Sequence, residues 1–187
     1  MPDPKGWVID TSTYSHVCRA GHADMLGALA PGGFILVPTY VETEIREGRD
    51  RYPGIPAIAD LPWAQLVFLS DDEEWTMLEV LAHMGGSEGE HLGECAVIAC
   101  AKHRGMVALL DERAAVTQAH QRGVMSRDTL WLVIEAYATL PDYGRDRAER
   151  VVDDLLETGM FLPISDGASL FAWAYEAGYL PHRSTAD

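Results

Sequence analysis

Basic residues are scarce. Lysine and arginine together number 14 against 29 aspartates and glutamates, which leaves a formal net charge of −15. So acidic a surface argues against broad binding to a phosphate backbone over the whole molecule. It leaves room for a local basic groove or a metal site built of carboxylates. Cysteine is also rare. Cys18, Cys95 and Cys100 are odd in number and none is spaced C-x-x-C. That argues against a disulfide framework or structural zinc and fits reduced core thiols in a cytoplasmic protein. No apolar run approaches membrane-spanning length. Met1-Pro2-Asp3-Pro4-Lys5 lacks the basic and apolar regions of a signal peptide. Gly85-Gly86-Ser87 lacks the lysine and following hydroxyl residue of a phosphate-binding loop. There is no internal repeat, low-complexity segment or clear interdomain linker.

What is present reads as one α/β domain. A hydrophobic fraction of 48% supports an ordinary globular core. The most informative stretch runs from Leu92 to Glu112. Cys95, Ala96, Val97, Ile98, Ala99 and Ala101 make a helix apolar on nearly every side, hence buried. Arg104 followed by Gly105 is a helix stop. Met106 to Leu110 is a continuous apolar run, suited to a strand covered on both faces. Before this unit, Gly6–Asp10, Phe34–Val37 and Leu66–Leu69 predict strands one to three, with helices from about Ser12, 22 to 29 and after Pro38. Ser70-Asp71-Asp72-Glu73 is a capping box. The helix it opens is expected to bury Trp75, Leu78 and Leu81, with Met77, and to solvate its four leading acids. The stretch from Gly85 to Glu90 is the most flexible-looking. After the unit, Ala114–Arg122 predicts a helix, Val124-Met125 a very short fifth strand, and Arg127–Leu140, 142–158 and 169–177 further helices. Strand–helix alternation followed by helix alone predicts a three-layer α/β/α sandwich with a mostly parallel sheet and a helical C-terminal extension.

Acids recur where such a sheet gathers its ligands, at the carboxyl edge. Asp10 and Asp111 end two apolar strands, Glu44 lies early in the helix after strand two, and Glu94 starts the helix leading into strand four. Convergent carboxylates raise one another's pKa unless a cation is present. Hard oxygen ligands select Mg²⁺ or Mn²⁺, which can activate water and neutralise charge in in-line phosphoryl transfer. Each acid also has a plainer reading: Asp10, before Thr11-Ser12, is a ready helix cap. His91 with Glu94 has the residue types of a transition-metal site but no third ligand in view. Arg46, Arg49 and Arg51, or Lys102, Arg104 and Arg113, are candidates for a backbone groove and equally for solvated surface.

Four pieces carry a family resemblance: Val8-Ile9-Asp10-Thr11-Ser12, the run Val37-Pro38-Thr39-Tyr40-Val41-Glu42-Thr43-Glu44-Ile45, Leu92-Gly93-Glu94-Cys95-Ala96-Val97-Ile98-Ala99, and Val107-Ala108-Leu109-Leu110-Asp111-Glu112-Arg113. In this order and spacing they resemble the PIN-domain nucleases over roughly residues 6 to 135. The branch they look most like is prokaryotic, similar to the VapC-type toxins, with glutamate at the third acidic position where many members have aspartate. The resemblance implies metal-dependent cleavage of RNA, single-stranded or structured, with Asp10, Glu44, Glu94 and Asp111 holding one or two Mg²⁺ or Mn²⁺ ions. It favours Glu44 over Glu42, and leaves Glu112 and Asp128 as supporting acids. It further implies a nuclease unit over 1–140 with an extension over 141–187 packed on it, a possible antitoxin partner and a possible homodimer. The rival expectation is a PIN-like binding or regulatory module that acts through a protein partner with little catalysis.

Overall fold

The computed structural model describes residues 5–85 and 89–180. Residues 1–4, 86–88 in the loop expected to be flexible, and 181–187 lie outside the described residues. Five strands form one parallel sheet in the order β3-β2-β1-β4-β5. They are β1 Trp7–Ile9, β2 Ile35–Pro38, β3 Ala64–Val67, β4 Val107–Leu109 and β5 Ser126–Arg127. The helices among the described residues are α1 Thr11–Arg19, α2 Ala23–Leu29, α3 Thr39–Gly48, α4 Asp71–Met84, α5 Leu92–Arg104, α6 Arg113–Gln121, α7 Thr129–Thr139, α8 Arg145–Glu157 and α9 Leu170–Glu176. The sheet lies between helical layers, so the sandwich expected from the strand–helix alternation is the fold. No helix among the described residues is long and apolar enough to cross a membrane.

The centre of the molecule is α5. Gly93 and every residue from Cys95 to Ala101 are buried, because the helix packs on β1, β2 and β4 beneath and on α3, α4 and α6 beside it. Small side chains let it lie close to the sheet on one side and to three helices on the others. Cys95 and Cys100 are free thiols in this core, and burial pushes both up to about 12. Gly105 ends the helix in the left-handed conformation, φ 65°, which only glycine adopts without cost. A second helical group, α1, α2, α7, α8 and α9, packs together. Trp7 of β1 meets Trp131 of α7 edge-on at 5.6 Å, an arrangement the ring quadrupoles favour.

Three expectations are corrected. The fifth strand is Ser126–Arg127, not Val124-Met125. The Gly123 and Val124 N–H groups donate to the carbonyls of His120 and Ala119 and close the end of α6, so the Met125 carbonyl is the first group to pair with β4. The buried face of α4 is Glu73, Thr76, Met77 and Val80. Trp75 and Leu78 point outward, 70% and 48% exposed. Glu73, expected among the solvated capping acids, is instead buried. It completes the capping box with Ser70 and takes a two-pronged contact from Arg104, Nε to Oε1 at 2.6 Å and Nη2 to Oε2 at 2.9 Å.

Candidate metal centre

In this strand order β1 and β4 lie side by side, and their helices depart from the same edge. Ile9 pairs with Leu109, so Asp10 and Asp111 leave the sheet together. This is the position where open parallel sheets form their ligand crevice.

Asp10 is 1% exposed. Its Oδ1 caps α1 by accepting from the Thr13 N–H at 2.7 Å. Its Oδ2 is buried with no hydrogen-bond partner, the one such side-chain oxygen or nitrogen among the described residues. Burial first, and then the charge of Asp111 and more weakly that of Glu94, push the Asp10 carboxyl well above the usual carboxylate range.

Thr13 joins two of the acids, because its hydroxyl donates to Asp111 Oδ2 at 2.9 Å while its N–H holds Asp10. Asp111 is fixed from the other side by Thr129, whose N–H donates to Oδ1 at 2.9 Å and whose hydroxyl donates to Oδ2 at 2.7 Å. Asp128 caps α7, accepting from the Trp131 N–H at 2.7 Å, and takes a bond from the Tyr179 hydroxyl at 3.2 Å. Burial and the neighbouring Asp111 raise its carboxyl as well.

Glu44 reaches the same edge from α3. Its Oε1 accepts from the Gly93 N–H at 2.9 Å, and its Oε2 takes the Thr11 hydroxyl. A Cβ at position 93 would overlap this carboxylate, so the glycine of Leu92-Gly93-Glu94 is what lets Glu44 sit on the amino end of α5. That end also carries the positive pole of the helix. Glu94, in the first turn of α5, is raised by burial and by the charges of Glu44 and Glu112. A cleft of about 360 Å³ opens beside Glu44, lined by Thr39, Tyr40, Thr43, Glu47 and Leu92 among others.

The geometry thus brings Asp10, Glu44, Glu94 and Asp111 to one edge, with Asp128 against Asp111. Glu42 faces elsewhere: it pairs with Arg46 at 3.0 Å on the outer surface of α3. Glu112 lies beside Glu94, whose carboxyl its charge helps to raise. It faces the start of α5, its Oε2 3.1 Å from His91 Nδ1. Of the candidate basic residues, Arg104 is held by Glu73 at the far end of α5 from Glu94, about 15 Å along the axis. Sequence reasoning missed the threonines. Thr11, Thr13 and Thr129 orient three of the acids, and the only trace they left was their place in Asp10-Thr11-Ser12-Thr13 and Asp128-Thr129.

The fold is a parallel α/β/α sandwich with Asp10 and Asp111 at the carboxyl edge between β1 and β4. A family model described as a PIN domain matches residues 6–166, and the chain belongs to the PIN-domain family. The match covers all five strands and continues through α8. No curated protein matches this chain.

Proposed function

We propose that this chain is a metal-dependent endoribonuclease in which Asp10, Glu44, Glu94 and Asp111 hold Mg²⁺ or Mn²⁺. The observation that carries this reading is the Asp10 carboxylate: buried, half unpaired and set among other acids. A buried charge without a partner is expensive, and a divalent cation at this edge removes that cost. The donor set is all oxygen, which suits a hard ion. When bound, such an ion supplies charge neutralisation at the phosphate and acidifies a water.

The chain's own contribution is orientation. Thr13 and Thr129 fix the Asp111 carboxylate. Thr11 and the Gly93 N–H fix Glu44. The α1 cap fixes one oxygen of Asp10 and leaves the other free. Such outer contacts hold ligands ready and keep reorganisation small. The open cleft beside Glu44 offers hydroxyls and the Tyr40 ring to an unpaired strand, which favours single-stranded over duplex RNA. In the cell this reading fits a cytoplasmic toxin whose antitoxin covers the acidic edge. On this reading the chain divides into a nuclease unit over 1–140 and an extension over 141–187, whose helices α8 and α9 would offer a face for homodimerisation.

The test is cleavage of single-stranded RNA with Mn²⁺ or Mg²⁺. The wild type should cleave, chelator should stop it, and the Asp10→Asn, Asp111→Asn pair should lower the rate by several orders of magnitude. Cleavage that persists in the double variant overturns the assigned site. The net charge of −15 favours a second reading, a binding module acting through a protein partner, because an acidic surface slows encounter with RNA. Mass action separates the two. A competent carboxylate cage gains stability with metal, so an unchanged melting temperature up to millimolar Mn²⁺ favours the binding module.

A further inference from the structure

The four acids do not exhaust the ligating groups at this edge. His91 and Glu94 lie three residues apart, at the N-cap and in the first turn of α5. Glu112 arrives from the exit of β4 as the N-cap of α6, and its side chain makes no capping bond there. One ligand atom from each of the three falls within 4.8 Å of the others. The backbone of His91 is left-handed, φ 65°, the one non-glycine residue among those described with a positive φ.

An ordinary ion pair between His91 and Glu112 accounts for part of this arrangement. It does not account for Glu94, which stands in the same group beside a second acid, Glu112, with His91 as the only base in the group. Nor does it account for Asp10 on the inner side, whose buried Oδ2 has no partner and whose acidic neighbours include Glu94. Glu94 also follows directly on Gly93, whose N–H holds Glu44 Oε1 at 2.9 Å, so it adjoins the carboxylate set as well as the His91–Glu112 group. The inner set is all carboxylate. The outer set is one imidazole nitrogen and two carboxylates, and nitrogen donors shift preference from Mg²⁺ toward the borderline transition ions.

We propose that the edge holds two distinct cation positions sharing Glu94: an inner oxygen position with Asp10, Glu44 and Asp111, and an outer position formed by His91, Glu94 and Glu112 that selects Zn²⁺ or Co²⁺ over Mg²⁺. The inner position rests on the function proposed above; the outer one rests on its own three residues. The three ligands leave further coordination sites open, as at catalytic rather than structural zinc. The outer ion would set the charge next to the inner position and so tie activity to the supply of a transition metal.

The experiment needs no RNA. The full chain, stripped with chelator, is titrated with Co²⁺ and separately with Mg²⁺, following the visible absorption of bound Co²⁺ and the melting temperature. The wild type should bind Co²⁺ at least about tenfold more tightly than Mg²⁺. His91→Gly keeps a residue that accepts the left-handed backbone and removes the imidazole. It should weaken Co²⁺ binding by at least about 10–100-fold, the loss that follows removal of even an outer partner of a metal ligand, and leave Mg²⁺ binding unchanged. Imidazole added to that variant should restore the Co²⁺ spectrum, which a merely structural role for His91 would not produce. Glu112→Gln should weaken Co²⁺ in the same direction. Asp10→Asn should lower the response to Mg²⁺ and retain the Co²⁺ spectrum. If His91→Gly and Glu112→Gln both bind Co²⁺ as the wild type does, the outer position is wrong. If only Asp10→Asn fails to change Mg²⁺ binding, the inner reading falls and the outer position stands.

Discussion

The two oxygens of the Asp10 carboxylate have different fates. One caps α1 through the Thr13 N–H, and the other is buried without a partner. The plain reading of this residue as a helix cap and the sharper reading as a metal ligand are therefore compatible, because each concerns a different atom. They predict opposite things for stability. Loss of a cap costs about 1 kcal/mol, whereas removing an unsatisfied buried acceptor from an acidic cluster returns about 1–3 kcal/mol. Asparagine at position 10 keeps an oxygen for the cap and drops the charge. Asp10→Asn should therefore melt higher than the wild type in chelator, by about 2–4 °C for each kcal/mol in a chain of this size. It should melt no higher in saturating Mn²⁺, where only the wild type is stabilised by the ion. A variant less stable than wild type in chelator would mean that capping dominates and that Oδ2 carries no penalty. This is the pattern of a site that gives up stability for function.

At the scale of elements, the amino end of α4 is bound to the carboxyl end of α5. Arg104 grips Glu73 with two nitrogens and also donates to the Phe68 carbonyl at 3.0 Å. Burial pulls the Glu73 carboxyl upward, but the hydrogen bonds from Arg104 and Ser70 outweigh it and hold the group below the usual range. A carboxyl lowered in the folded state contributes stability above its unfolded pKa of about 4.3 and loses it as pH falls through the folded value. Arg104→Met should cost about 3 kcal/mol at pH 7 by urea denaturation, the low end for a broken buried pair because Arg104 is partly exposed. The gap should narrow once both proteins are measured below about pH 4. A gap of the same size in acid would point to lost packing of the arginine stem rather than to charge. Position along the chain shows why some of this was legible and some not. The continuous apolar runs and the Arg104-Gly105 stop marked α5 and β4 because these signals are local. The partner of Glu73 is 31 residues away, so nothing near Ser70 separated a buried acid from its solvated neighbours. Trp75, Leu78 and Leu81 share one face of the helix by spacing, whereas the face buried beside α5 carries Thr76, Met77 and Val80. In the candidate site, the strand-end acids were readable from the pattern of apolar runs. The threonine donors and the meeting of His91 with Glu112 arise only once β4 and α5 share an edge.

For the whole molecule, the governing quantity is charge. The chain carries −15, and several of its arginines are occupied internally. Arg46 pairs with Glu42, Arg104 with Glu73, Arg145 with Glu149 and Arg147 with Asp24. Nucleases that track the phosphate backbone with free cations lose affinity as salt rises, because releasing the same counterions into more concentrated salt gains less entropy. Here the acidic surface and an acidic polymer repel at long range, and salt screens that repulsion. Between about 10 mM and 150 mM KCl the Debye length falls from about 30 Å to about 8 Å, shorter than the span of the molecule. At fixed, saturating metal, kcat/KM for single-stranded RNA should therefore rise by a factor of about two or more across this range, while kcat at saturating RNA stays nearly constant. The comparison of the two constants matters: screening acts on encounter, and a change in kcat would instead report loss of metal from the edge. A steep fall of kcat/KM with salt would overturn the reading, and would place a basic track beside the acids strong enough to outweigh the charge of the whole chain.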